Sequence, residues 1–423
     1  MAKIILVILL KKNWKPWEFK VLDILRKILI ALFLLSVLSA CGSVKDLADQ
    51  VKESLIPPEP VNPPAPLKEI KALITPKILW KASMSNEGDR QNFTPAISDN
   101  FVFAISSDGT FSKFDVASGK LIWQIKTGEN ISSGIGVGAD HLLLGQINGY
   151  LSSYDFNGKL LWKTKLSSQL AGVPVVSNSI VIARTMDNSI HGINIKDGSK
   201  IWTYNRSGPS LSLKSLPGVV ASDGAVYAGF PGGKLIAIRE DNGSLLWEAS
   251  VAQPKGATEI ERITDITSIP VIEGIKLYVV AFNGKVVCIN RVNGSVMWGR
   301  DISSFAGLNI EGGRIYLSHS GGAVYSLDEN TGKTYWRQGD LLNRNLTKPL
   351  PMSEYIAIGD IGGFIHFLDR ETGAFVGRIQ LDGGVTATLL DQDNAVMLNM
   401  IEYEPGKLIA QTRRGGLYAV SIK

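Results

Sequence analysis

From residue 80 onward the chain repeats itself with a period near 40, and no other feature limits its fold so tightly. Tryptophans stand at 80, 123, 162, 202, 247, 298 and 336, spaced by 43, 39, 40, 45, 51 and 38 residues. Gly377 takes the next slot, 41 residues after Trp336. Six of the tryptophans follow a glycine by four residues (Gly119, Gly158, Gly198, Gly243, Gly294 and Gly332), and Gly373 precedes Gly377 in the same way. Ahead of each turn runs a short strand: GTFSKFD (109–115), GYLSSYD (149–155), NSIHGIN (188–194), GKLIAIR (233–239), GKVVCIN (284–290), GAVYSLD (322–328), GFIHFLD (363–369) and GLYAVS (416–421). Several short strands per 40-residue unit predict an all-β propeller. ITPKILWKA (74–82) has the strand after the turn but no copy before it, and 415–422 has the reverse. Pairing the two completes an eighth blade and removes the open edge.

The unit follows from backbone physics. Asp-x-x-[Ser/Thr]-Gly-Lys is a tight turn whose glycine is expected at positive φ. The tryptophan begins the return strand, and its ring is expected over the adjacent blade, burying about 150–250 Å². Two residues before the Asp-like position, six copies carry a small residue: Ser153, Gly192, Ala237, Cys288, Ser326 and Ala419. The expectation is that these make room for the ring next door. Lys113 and Phe367 break that rule, so blades one and seven should pack differently. The repeat resembles the pyrroloquinoline-quinone (PQQ)-type propeller family, whose tryptophan-docking motif reads Ala-x-Asp-x-x-Thr-Gly-x-x-x-Trp. No Gly-His or Trp-Asp dipeptide recurs, so it does not resemble WD40 repeats.

No motif in the sequence has the spacing of a catalytic or metal site. The PQQ-type family includes quinoprotein dehydrogenases, but fold alone does not carry their chemistry. Cys288 fills a small-residue slot and reads as a buried structural thiol. Thr331-Gly332-Lys333-Thr334 imitates a P-loop tail, yet Leu327 stands where its first glycine belongs. His141, His191, His319 and His366 are isolated, without HExxH or Cys-His spacing. The glycine-rich run 134–138 opens no helix, so it is not a dinucleotide loop. No cofactor is expected.

The first forty residues read as an address. The run ILIALFLLSVL (28–38) follows Arg26-Lys27 and is too short for a permanent span, which needs about 20 residues. It suits a signal peptide. Leu38-Ser39-Ala40-Cys41 resembles the bacterial lipobox, whose cysteine is lipidated and becomes the new N-terminus; Gly42 after it implies sorting to the outer membrane. The whole net charge of +5 resides in residues 1–40, where seven Lys and Arg face two acidic residues. A neutral remainder argues against nucleic acid as partner. Six prolines between 57 and 66 favour an extended spacer. The expected organisation is a lipoprotein signal peptide over 1–40, a lipidated Pro-rich tether over 41–73 and an eight-bladed propeller over 74–423.

The two longest spacings, 45 and 51, are consecutive, and their extra residues fall in 204–217 and 251–269. Added length in a repeat protein extends loops on one face, so these two loops should touch. The first presents Leu211, Leu213 and Leu216; the second a charged run of Glu259, Glu261, Arg262 and Asp265. Leucines beside a charged rim suit a protein interface. Leucines folded back into the core, with the charges merely solvating the loop, are the alternative. PSLSLKS (209–215), TEIERITDITSIP (258–270) and WRQGDLLNRNLTKPLPMSEYIAIGD (336–360) are similar to the BamB family of outer-membrane assembly lipoproteins, and the similarity extends over the lipobox and all eight blades. That resemblance implies a non-catalytic subunit of the β-barrel assembly (BAM) machinery, docked through these loops on the POTRA domains of BamA. Leu211, Leu213 and Asp265 match the family pattern, whereas Lys214 stands where Arg is frequent and Thr267 where a second Asp is common. Both departures weaken the charged half of the contact. Other BAM subunits and unfolded outer-membrane proteins are further expected partners, with the lipid on Cys41 holding the chain to the membrane. A periplasmic PQQ-dependent dehydrogenase-like protein and a general envelope scaffold lipoprotein remain the alternative readings.

Overall fold

A computed structural model describes residues 62–84, 93–209, 211–213, 217–381, 398–412 and 415–422. The chain divides into two units, Met1–Val61 and Asn62–Lys423, and every described residue lies in the second. Cys41 and the first three prolines of the run, Pro57, Pro58 and Pro60, lie outside the described residues.

The described residues form eight four-stranded antiparallel sheets, each a blade. Blade four shows the plan: Val220–Ser222 is innermost, followed by Ala225–Phe230, Lys234–Arg239 and the outer strand Leu245–Ser250. The eighth blade joins both ends of the chain. Its outer strand Lys77–Ser83 pairs with Gly416–Ser421, which pairs with Lys407–Thr412 and then Leu398–Glu404. The closure expected from the repeat is therefore present, and it leaves the ring no unpaired sheet.

The core is a set of layers between consecutive blades. One layer joins blades four and five (Tyr227, Leu235, Ile266, Val279), and another joins blades eight and one (Ile409, Leu417, Val102, Phe114). Each of the seven repeat tryptophans docks on the following blade in the same manner. Its indole N–H donates to the carbonyl just after the Asp-like residue of the next turn: Trp80 to Val116, Trp123 to Phe156, Trp162 to Ile195, Trp202 to Glu240, Trp247 to Arg291, Trp298 to Glu329 and Trp336 to Arg370, at 2.7–3.1 Å. The ring lies over that turn's glycine. A Cβ at Gly243 would come within 2.6 Å of the Trp202 ring, and φ is +71° there, so both the space and the backbone require glycine. The P-loop-like stretch is one of these turns, with Gly332 at φ +68° under Trp298.

One expectation about packing is corrected. The small residues of the repeat do not face a ring from the next blade; they sit directly across from the tryptophan of their own blade. Ser153 pairs with Trp162, Gly192 with Trp202, Ala237 with Trp247, Cys288 with Trp298, Ser326 with Trp336 and Ala419 with Trp80. A Cβ on Gly192 would overlap Trp202's own indole. The two exceptions then explain themselves. In blade seven the sizes are exchanged, with buried Phe367 opposite Gly377. In blade one Lys113, opposite Trp123, lays its ammonium 3.8 Å from the Phe101 ring centre and shares the Phe156 carbonyl with the indole.

In every blade the outer strand carries a bulge one residue before the tryptophan slot. The extra residues are Leu79, Ile122, Leu161, Ile201, Leu246, Met297, Tyr335 and Val376.

Residues 62–74, mostly expected within the tether, lie along blades six and seven. Ala65 donates to the Leu342 carbonyl, and Leu73 and Ile74 both donate to that of Val376. Arg344 and Arg378 donate to the carbonyls of Ala65 and Lys68, and Lys68 pairs with Asp340 at 2.8 Å. Beneath them is a buried polar chain in which Asp360 accepts from Arg344 (2.6 Å) and contacts His366 (2.8 Å), while His366 accepts from Arg378. Ile74 lies over Gly377, in the space left by the missing indole.

Candidate functional site

The loops 205–219 and 251–270 connect the outer strand of one blade to the inner strand of the next, from blade three to four and from four to five. Successive connections of this type leave from one face of a propeller, so chain topology places them side by side. The side chain of Asp265 bridges them. Asp265 is 2% exposed; its carboxylate accepts the Leu213 N–H at 2.7 Å and the Gly232 N–H at 2.9 Å. Its own carbonyl accepts the Phe282 N–H, and the next residue, Ile266, is fully buried against Gly229. Thr267 is also buried and donates to the Phe305 carbonyl at 3.0 Å.

The second loop is shaped locally as well. The Glu261 carboxylate accepts the N–H groups of Ala257 and Thr258, and the Thr258 hydroxyl accepts that of Glu261, as in a capping box. These bonds hold the Glu261 carboxyl below its ordinary range. Arg206 braces the start of the first loop with two bonds to Glu248. Between the loops is a hollow of about 250 Å³ lined by Pro209, Leu211, Pro254, Glu259, Arg262 and Asp265, among others. Leu211 is 43% exposed at its edge, Ile260 is 72% exposed nearby in sequence, and Leu213 is half-buried.

The structure thus brings Leu211, Leu213 and Asp265 together and gives them different duties. Leu211 faces solvent, while Asp265 and Thr267 are spent inside the fold. Lys214 and Leu216 lie outside the described residues. The sequence reading missed Arg184, at the base of this face. It is 1% exposed, stacks 4.3 Å from the centre of the Phe230 ring and donates to the Pro217 carbonyl. Among the described residues its Nε and Nη2 find no partner, and burial pushes the guanidinium down to about 9. A lone cation ending the apolar strand Ile180–Arg184 was the available signal.

The isolated histidines all have hydrogen-bond partners, His319 accepting the Gly321 N–H in a turn and His366 contacting Asp360. His191 contacts Ser167, Thr185 and Thr203, and His141 contacts Ser153. Cys288 is fully buried, which raises its thiol. Among the described residues, no three His, Cys, Asp or Glu side chains gather where they could hold a metal.

These features define a tryptophan-docked eight-bladed propeller with two adjoining connecting loops elaborated into one face. A family model described as outer membrane protein assembly factor BamB matches residues 107–338 and 320–423. A curated relative of that name from Nitrosomonas eutropha is 33% identical over 398 residues, covering 93% of this chain and 94% of the relative. The chain belongs to the BamB family. Among solved structures, BamB from Moraxella catarrhalis superposes with a TM-score of 0.73 at 24% identity, over 82% of this chain and all of that one. The quinohemoprotein alcohol dehydrogenase of Comamonas testosteroni gives 0.64 at 12% identity over 82% of this chain and 76% of its own, a likeness of fold alone.

Proposed function

We propose that this chain is a non-catalytic lipoprotein subunit of the BAM complex, held at the periplasmic side of the outer membrane by lipid on Cys41. It docks on the POTRA domains of BamA, works beside the other BAM subunits and assists insertion of β-barrel proteins. Membership of a family of outer membrane protein assembly factors supports the role. The observation that carries the interface is the Asp265 bridge, which presents the Leu211 loop and the Glu259–Arg262 loop as one surface.

In this reading Leu211 and Leu213 supply apolar contact, Lys214 a cation, and Asp265 and Thr267 the geometry of the loops. An apolar anchor beside a charged rim is a common interface plan. Unfolded outer-membrane proteins are a second class of partner. The test is a pull-down of residues 44–423 with the POTRA domains of BamA, wild type against Leu211→Asp. Because Leu211 is exposed, the variant keeps the fold while placing a charge in the contact. Capture by the wild type and loss in the variant is the expected result; equal capture would remove the loop from the interface.

A further inference from the structure

The bulged residue of the outer strand is a large apolar side chain in all eight blades, yet among the described residues only one is covered. Val376 is 2% exposed, whereas the other seven are 43–51% exposed. The cover on Val376 is the chain's own segment around Leu73-Ile74, whose two N–H groups converge on the Val376 carbonyl at 2.7 and 3.1 Å. Ile74 also fills the space above Gly377, a contact particular to the blade without a tryptophan. The main-chain contact is not particular to it. The same bulge, register and carbonyl recur at Leu246, Met297 and their counterparts, where no described residue takes that carbonyl. Five of the seven open bulges, Leu79, Ile122, Leu161, Leu246 and Met297, are preceded by a second half-exposed aliphatic residue: Ile78, Leu121, Leu160, Leu245 and Val296.

We infer that the open bulges on the propeller rim are docking positions for extended, apolar-containing segments of unfolded outer-membrane barrel precursors, bound as Leu73-Ile74 is bound at blade seven. The inference rests on the proposed assembly role and adds the site and the recognition chemistry. An extended chain donates main-chain N–H groups to the bulge carbonyl and lays apolar side chains on the exposed pair, so recognition tolerates sequence. Barrel strands suit this, because they alternate apolar and polar residues along an extended backbone. Edge strands normally carry charge or cover against such pairing, and a bulge disrupts regular ladder extension, which favours short reversible contacts over aggregation. Each bulge lies beside the glycine turn, at the end of the outer strand opposite to that from which the two docking loops leave. Precursor and BamA can therefore be held at once.

The test places a photoreactive p-benzoylphenylalanine at Ile122, Leu246 or Met297 of the full chain, with Val376 as the covered control. A urea-unfolded outer-membrane barrel protein is diluted onto each variant and irradiated, beside the same protein already folded in detergent. Several-fold more adduct at the open positions than at Val376, formed with the unfolded form only and competed by a peptide of residues 69–76, is the expected result. No adduct, or equal adduct at Val376 or with the folded barrel, overturns the inference. The BamA pull-down run on the same variants separates the two readings: intact capture without rim adducts sinks this inference alone.

Discussion

Asp265→Asn changes one atom in the bridge between the two long connecting loops, and its effect can be worked from geometry. The carboxylate accepts two main-chain N–H groups, from Leu213 at 2.7 Å and Gly232 at 2.9 Å, in a site 2% exposed. An asparagine oxygen keeps one of these bonds; its NH2 group then faces the other N–H, donor against donor. Hydrogen bonds to charged groups contribute about 1.5–3 kcal/mol each. Losing one and leaving a buried donor unpaired costs about 2–3 kcal/mol, about a 30- to 140-fold rise in loop opening at tenfold per 1.4 kcal/mol. Ile266 and the sheet beneath stay packed, so the opening is local and the global unfolding midpoint moves little. Hydrogen exchange reports it directly, as faster exchange of the Leu213 and Gly232 amides with unchanged exchange in blades one and seven. BamA capture should weaken in parallel, although Asp265 is itself buried. Unchanged protection at Leu213 together with lost capture would refute the reasoning, because Asp265 would then be touching the partner rather than positioning the loop.

Three further outcomes follow from the same structure. Trp202→Phe removes the indole N–H that donates to the Glu240 carbonyl at 2.8 Å and should lower unfolding free energy by about 1–3 kcal/mol in urea titration. Gly243→Ala should cost several-fold more than Gly224→Ala: both glycines have positive φ, +71° and +75°, but only the first would press a Cβ into a ring, so thermal melts of the two variants separate overlap from backbone strain. Burial pushes His191 down to about 4 despite the opposing pull of Asp187, whereas an unfolded histidine titrates near 6.5. The folded chain then binds fewer protons between those values, so stability from this group is complete above about pH 6.5 and is lost as pH falls toward 4. Urea midpoints at pH 7.5 and pH 5 should differ less in His191→Gln than in wild type.

The amino-acid sequence by itself determined the blade plan. Trp80 to Trp336, the glycines four residues before six of them and the strands before those turns report local conformation, and local conformation repeats wherever its residues do. The missing turn at Trp80 and the missing tryptophan at the C-terminal end were enough to predict closure, because each end lacks what the other supplies. The adjacency of the two long loops was legible for the same reason, being a matter of order along the chain. What their side chains do was decided only by tertiary structure. Asp265 reads as part of a charged rim until Leu213 and Gly232, 52 and 33 residues away, bring their N–H groups to it. The small residues opposite each tryptophan were legible as a pattern, but whether they served their own ring or the neighbour's depended on strand register. Register likewise turned Phe367 and Gly377 from two exceptions into one exchange of size. Residues 62–74 have no repeat to announce them, and their place along blades six and seven rests on Arg344, Arg378 and Val376, some 280 to 310 positions distant. Periodicity encodes what a segment does with its near neighbours; burial of a side chain depends on which distant segment arrives beside it, and only the closed ring settles that.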